Sequence, residues 1–395
     1  MSHRRQSARL LRLLVLILYP VGCGAGGGDS TSETSVEPQF PGIAQFLNID
    51  PDALPNYADP TLPRHYDAQV FAQFDNTPIE NPITDAGATL GRVLFYDPRL
   101  SINDTVSCAS CHAQDNGFTD EARFSVGFNG IDETGAHSMR LGNARFFAGT
   151  GFFWDQRATS LEDQATQPIR DHVEMGFDVS NGGIEALIAK MTELPYYPEL
   201  FEMVFGDPVI TEDRMQRALA QFVRSMLSTH SRFDDNFALV YNPQAPGDGV
   251  GATFPGFTAE ENRGKQLFTT PPGQGGAGCA GCHPAPTFSL VADSGSNGLD
   301  AGETTIFRRP SLKNVARTGP YMHDGRFDTL AEVVDHYADG VQLGPAVDRR
   351  LRGPGGVPQR LNLDAADRQA LVAFLRTLDD PVLVSDSRFS DPFVR

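Results

Sequence analysis

Apolar residues recur along this chain with a helical period. Met215, Leu219, Phe222, Val223 and Met226 fall on one helix face across residues 211–226, and Leu371, Phe374, Leu375 and Leu378 do the same across 364–378. Leu330, Val333, Val334 and Tyr337 repeat at i, i+3, i+4 and i+7, which again draws one face. The expected helix starts are marked locally. Thr258 with Glu261 forms a capping box, and Ser160 with Asp163 and Thr329 with Glu332 read as further N-terminal caps. Sustained polar–apolar alternation is scarce, so the fold is predicted to be mainly α. The 39 Gly and 28 Pro add long ordered loops between short helices.

The start of the chain has a different pattern. Arg4, Arg5, Arg9 and Arg12 precede an apolar run over 13–18. A bilayer span needs about 20 apolar residues, and a basic stretch before a short apolar run is the pattern of an export signal. Residues 1–22 are therefore expected to be a signal peptide. Gly22-Cys23 resembles a lipoprotein cleavage site, although Pro20 departs from the aliphatic residue such sites prefer. Ordinary cleavage with Cys23 unmodified is the competing reading. The Gly/Ser/Thr-rich stretch that follows favours a lipid on Cys23, with 23–40 as a tether. A single lipid would hold the protein at a membrane surface, and the expected location is periplasmic.

Composition narrows the function. The formal net charge is −18, and it becomes more negative once the signal arginines are removed. Nucleic acid needs a basic surface and is excluded as a partner. A partner with a basic patch would be steered towards the chain.

All five cysteines can be assigned. Besides Cys23 they form Cys108-Ala-Ser-Cys111-His112 and Cys279-Ala-Gly-Cys282-His283. C-x-x-C-H is the c-type haem attachment pattern: two thiols bond to the haem edge, and the next imidazole reaches the iron. A Cys₄ zinc site is the main alternative, but it requires neither histidine. A dithiol redox pair is the other, and it would not come twice. Gly91-Arg92-Val93-Leu94-Phe95 before the first motif is echoed by Gly264-Lys265-Gln266-Leu267-Phe268 before the second, a weak internal repeat. With the Pro/Gly-rich stretch 241–256 as the boundary, the expected plan is an N-terminal haem domain at 41–245, a C-terminal haem domain at 246–385 and a tail at 386–395.

Further motifs occur in a fixed order: Phe153-Trp154-Asp155-Gln156-Arg157; Gln164-Ala165, Pro168 and Val173-Glu174-Met175-Gly176; and Thr318-Gly319-Pro320-Tyr321-Met322-His323-Asp324-Gly325. Together with the haem motifs they resemble the bacterial di-haem cytochrome c peroxidase family, including its MauG branch, across roughly residues 80–380. The resemblance implies two c-type cytochrome domains, each around one covalently bound haem. Peroxide would bind at the first haem, opposite His112, with Glu174 as general acid–base and Gln164 as a polar neighbour of the oxidant. Trp154, the sole Trp, would pass electrons between the haems. Asn143 and the carbonyls of Thr318 and Pro320 match positions that hold a calcium ion, though the stretch from Asn143 to Trp154 is short for that.

The second haem departs from the ordinary peroxidases. His283 is its proximal ligand, and the far-side Met falls fourteen residues after the His of His-Asp-Gly, which here is Tyr337, as in the MauG branch. His336 and Met322 are the competing ligands. On a helix His336 lies about 100° from Tyr337, so both cannot face one iron. Thioether ligation favours reduced iron, and phenolate favours oxidised iron. His137 lies in the loop that gives ordinary peroxidases a sixth ligand at the first haem, and it reads more readily as a solvated loop residue.

The expected activity is reduction of hydrogen peroxide with electrons from a small cytochrome or similar donor. The rival, favoured by Tyr337, is a MauG-like oxidase that uses peroxide to modify a residue on a partner protein. A non-enzymatic two-haem electron carrier is a third reading, against which the pocket of Gln164, Pro168 and Glu174 argues. Relatives often dimerise, so a homodimer is a further expectation.

Overall fold

The computed structural model describes residues 38–395 except 148, 150 and 291–293. The expected signal peptide, Cys23 and nearly all of the tether lie outside the described residues. The fold is mainly α. Among the described residues there are isolated bridges but no strands, and no helix is long and apolar enough to cross a membrane.

Two helix pairs organise the molecule. Asp85–Tyr96 crosses Glu212–Ser225, and Ala259–Thr269 crosses Ala365–Arg376. Each starts on a side-chain cap: Thr84 accepts from Gly87 N, Thr211 from Arg214 N, Thr258 from Glu261 N in a full capping box, and Asp364 from Asp367 N. Both crossings are closed by a glycine. A Cβ on Gly91 would stand 2.0 Å from the Ala218 carbonyl oxygen, and one on Gly264 would stand 1.8 Å from that of Ala370. In each case the next obstacle is a phenylalanine Cβ, Phe222 or Phe374. The sequence echo around Gly91 and Gly264 is thus a repeated packing joint.

The apolar cores divide along the same lines. Leu90, Leu94, Phe95, Phe118 and Phe222 belong to the first, and Leu267, Phe268, Phe288, Leu371 and Phe374 to the second. The division falls between Met226 and Phe233, upstream of the expected boundary at 245/246, because Phe233, Phe237 and Tyr241 pack into the second core. Leu383 and Phe389 return to the first core, so the expected tail is packed structure.

The repeat extends into the loops. Asn143 and Asn314 both have φ of 60°. Asn143 Oδ1 accepts from Ser228 N at 2.7 Å and its own N–H donates to Met226 O. Asn314 Oδ1 accepts from Asp380 N at 2.6 Å and its N–H donates to Leu378 O. Phe153 and Met322 share a positive φ, and the bridges Phe152↔Ala158 and Tyr321↔Phe327 close matching loops. Ser160 and Thr329 then cap the helices that follow. In this register Trp154 matches His323, and Pro168 matches Tyr337.

Candidate functional site

The two Cys-His motifs are built alike. Cys108–Cys111 is one helical turn boxed by Ser107 and Ser110, and Cys279–Gly281 is a single tight turn. His112 donates Nδ1–H to the Phe118 carbonyl at 3.0 Å, and His283 donates Nδ1–H to the Phe288 carbonyl at 3.0 Å. Phe118 and Phe288 are themselves matched, both at positive φ. Committing Nδ1 leaves Nε2 to present a lone pair, the arrangement a metal-ligating imidazole requires. Burial favours the neutral form of both rings, lowering His112 and taking His283 down to about 4. All four thiols are free of disulfides. No group of three or more His, Cys, Asp or Glu that could hold a metal ion occurs among the described residues. The thiols and imidazoles fit two covalently bound haems.

Glu174 lies beside the first motif, within electrostatic reach of Cys108 and Cys111. Its loop is a tight turn in which Asp171 Oδ1 accepts from Val173 N at 2.8 Å and from Glu174 N at 3.1 Å. Burial pushes the Glu174 carboxyl up to about 7, nearby Asp171 adds to this, and Arg157 opposes it. A carboxyl poised near neutrality can both take and return a proton. Gln164 is half-buried on the short Leu161–Ala165 helix, and its side chain makes no hydrogen bond to the described residues.

Trp154 bridges the two halves. Its Nε1–H donates to His137 O at 2.6 Å, Arg308 N donates to its carbonyl at 2.7 Å, and its ring meets that of His323 edge to face. Phe307 stacks on the other ring of that pair, with centroids 3.8 Å apart at 11° to His323. His137 is not the solvated loop residue the sequence suggested. It is buried, donates Nδ1–H to Ala122 O at 3.1 Å and has Nε2 at 3.3 Å from Thr119 Oγ1. Both ring nitrogens are occupied, and the residue seats Trp154. Its partners are mostly backbone carbonyls, which leave no pattern in residue types.

In the second half, the Leu330–Asp335 helix widens into a π turn over His336–Gly340. His336 Nε2 donates to Asn297 O at 3.1 Å. Tyr337 is within electrostatic reach of Cys279, Cys282 and Arg309, and burial raises its phenol to about 12 against the opposing charge of Arg309. Met322 Sδ accepts from Asn297 Nδ2 at 3.3 Å.

Asn143 Oδ1 already takes the Ser228 amide, the same backbone-bracing role Asn314 has in the other half. A small cavity beside Asn143 is lined in part by Arg140, Arg308 and Arg309. Thr318 is buried, and what it and Pro320 would offer a calcium ion is their backbone carbonyls, which are ordinary calcium donors. Sequence reasoning had missed these arginines; the Arg308-Arg309 pair was the available signal.

Comparison with known proteins agrees with this geometry. A family model described as di-haem cytochrome c peroxidase matches residues 85–239, and a cytochrome c model matches 261–379. The methylamine utilization protein MauG of Methylorubrum extorquens is 35% identical over 320 residues, covering 76% of this chain and 80% of that protein. The cytochrome c551 peroxidase of Nitrosomonas europaea is 30% identical over 319 residues, covering 74% and 79%. The crystal structure of a MauG-like protein associated with microbial copper homeostasis superposes with a TM-score of 0.66 at 29% identity, covering 85% of this chain and 99% of that one.

Proposed function

The chain belongs to the di-haem cytochrome c peroxidase family, and from that premise we propose that it reduces hydrogen peroxide at its first haem site with electrons received through the second. The observation that carries this reading is Glu174, a buried carboxyl poised near pH 7 beside Cys108 and Cys111. A simple electron carrier has no use for such a group.

Cys108, Cys111 and His112 would hold the first haem, whose iron would supply the redox chemistry for peroxide. Glu174 then takes the proton from the inner peroxide oxygen and delivers it to the outer one as the O–O bond breaks. Two electrons and two protons convert one peroxide into two waters. Gln164, whose side-chain amide has no partner among the described residues, orients the oxidant. Where the second half carries Tyr337, the first carries Pro168, which has no side-chain donor. His283 and Tyr337 are the side chains that would hold the second haem's iron, and Pro168 offers no such side chain in the first half. Trp154 carries electrons across the contact between the halves.

A second reading is favoured by Tyr337. Phenolate ligation stabilises oxidised iron, which suits an oxidase that stores peroxide's oxidising power and spends it on a partner protein, as in the MauG branch. Steady-state peroxide consumption with reduced cytochrome c separates the two: rapid turnover supports the peroxidase, and slow turnover with a long-lived oxidised spectrum supports the modifying enzyme. A spectrum that does not change with peroxide would sink both. The export signal at 1–22 and a lipid on Cys23 place the enzyme, in this proposal, at a periplasmic membrane surface. Palmitate labelling that a Cys23→Ala variant abolishes is the check.

A further inference from the structure

Arg308 and Arg309 are neighbours whose side chains part company. The Arg308 guanidinium lies over the rings of Phe147 and Phe152, at 4.3 and 4.5 Å, with Nη1 at 3.3 Å from Met139 Sδ. All three partners belong to the first half. Arg309 turns the other way and acts electrostatically on Tyr337 and Cys282. Both of its terminal nitrogens, Nη1 and Nη2, are buried, and neither meets an acceptor among the described residues. The nearby Asp348 carboxylate is taken, because Arg350 holds it through Nε and Nη2, each at 2.8 Å, and Gly295 N adds a third donor.

A buried guanidinium with no partner is strongly unfavourable, because its charge has lost water and gained nothing. A fold keeps such a group where an anion arrives to meet it. The two Cys-His motifs bring one anion of the right kind into this half: a covalently tethered haem carries two propionate carboxylates, and the planar fork of an arginine matches a carboxylate through paired N–H donors. We infer that Arg309 anchors a propionate of the second haem. It is thereby a positioning residue that sets the haem's seat beside Tyr337 and fixes a compensating positive charge there. The inference needs only that the second haem is attached, not that the enzyme reacts with peroxide.

Among the described residues Glu303 is the rival, since both its carboxylate oxygens are also buried with no partner there and it feels the charge of Arg309. The test uses the fully matured two-haem protein and the variants R309M, R309K and E303Q. Resonance Raman spectra report the propionate bending band, and spectroelectrochemistry gives the midpoint potential of each haem. In R309M the band shifts and the second haem's potential falls, because an uncompensated carboxylate favours oxidised iron; the first haem's potential does not move. R309K keeps the charge, so it recovers most of the potential but not the band position. E303Q leaves the band in place. Unshifted band and potentials in a mature R309M protein would overturn the inference, as would a potential shift in both R309M and E303Q with the band unmoved in each. Should R309M fail to mature, R309K decides: a displaced band supports the anchor, and an unmoved one refutes it.

Discussion

Trp154 and His323 hold equivalent places in the two halves of the chain, and their rings meet edge to face with centroids 6.4 Å apart. His137 ties the pair together through its backbone, accepting from Trp154 Nε1 and donating its own N–H to His323 O at 2.9 Å. The indole is fixed by its N–H to His137 O, and the His323 ring is backed by the stacked Phe307. If electrons cross here, Trp154→Phe keeps the ring stack but loses the indole and its hydrogen bond. Transfer between the haems is expected to slow roughly tenfold, as for a barrier raised by about 1.4 kcal/mol. Stopped-flow reduction of one haem followed at the other is the measurement, and unchanged kinetics with intact haem spectra would remove Trp154 from the route.

Glu174 gives a pH signature. Its carboxyl is raised to about 7, chiefly by burial. The form that can accept peroxide's proton is the carboxylate, which dominates above that value. Peroxide reactivity should therefore rise with pH through an apparent pKa of about 7 and level off above it. Glu174→Gln cannot accept the proton, and it should lower the second-order rate by about 10²- to 10⁴-fold and flatten the profile. Stopped-flow rates across pH check both, and a Gln variant with the full rate would return the protein to the electron-carrier reading.

Tyr337 gives a redox signature. Its phenol is raised to about 12 by burial, so at neutral pH the proton leaves only in exchange for the iron. With a phenolate ligand the second haem should hold a low potential and lack the far-red band of Met-ligated ferric haem. Tyr337→Met should raise that potential by on the order of 0.1 V or more and bring the band in. Retention of a Met-type band in Tyr337→Phe would instead point to Met322.

What was legible in the sequence was local. The C-x-x-C-H triads and the caps at Ser160, Thr258 and Thr329 are spelled within a few residues, so their chemistry can be read without the fold. Tyr337 was reached only through the family pattern, and the π turn that carries it has no signature in the helical period. The bracing role of Asn143 was not legible because its partner, the Ser228 amide, is far along the chain and is a backbone group that any residue would supply. His137 failed for the same reason. The repeat itself was only faintly visible, since its strongest elements are shared positive φ angles and hydrogen bonds made by unlike residues, such as Trp154 and His323.

The repeated glycine joint makes a symmetrical prediction. A methyl group at position 91 or 264 would collide with a helix carbonyl at about van der Waals half-distance, and backbone cannot swing aside as a side chain can. Gly91→Ala and Gly264→Ala should each cost about 1–3 kcal/mol or more, read by urea titration of the matured protein. Each should disturb the absorbance of its own haem first. A neutral result at either position would mean that the helices can separate without loss, contrary to the close crossing.

A buried charge cluster supports the second half and yields a prediction with a built-in control. Asp234 is fully buried, with Lys313 Nζ and Ser231 Oγ on Oδ2 and His65 Nε2 at 3.3 Å from Oδ1. Burial alone would raise its carboxyl, but Lys313, His65 and Ser231 outweigh it and hold the group down to about 2. A depressed carboxylate contributes stability that is present above the ordinary carboxylate range and is lost as pH falls towards 2. Lys313→Met strands a buried carboxylate and should cost about 3–5 kcal/mol, and Asp234→Asn strands the ammonium at a similar cost. The double variant removes both charges and should be less destabilised than the sum of the two single losses. Acid titrations of the four proteins, followed by the Soret band of the second haem, test the coupling. If the double loss equals that sum, then Lys313 and Asp234 do not hold each other in place, and the helix starting at Ser231 is secured by its cap and core alone.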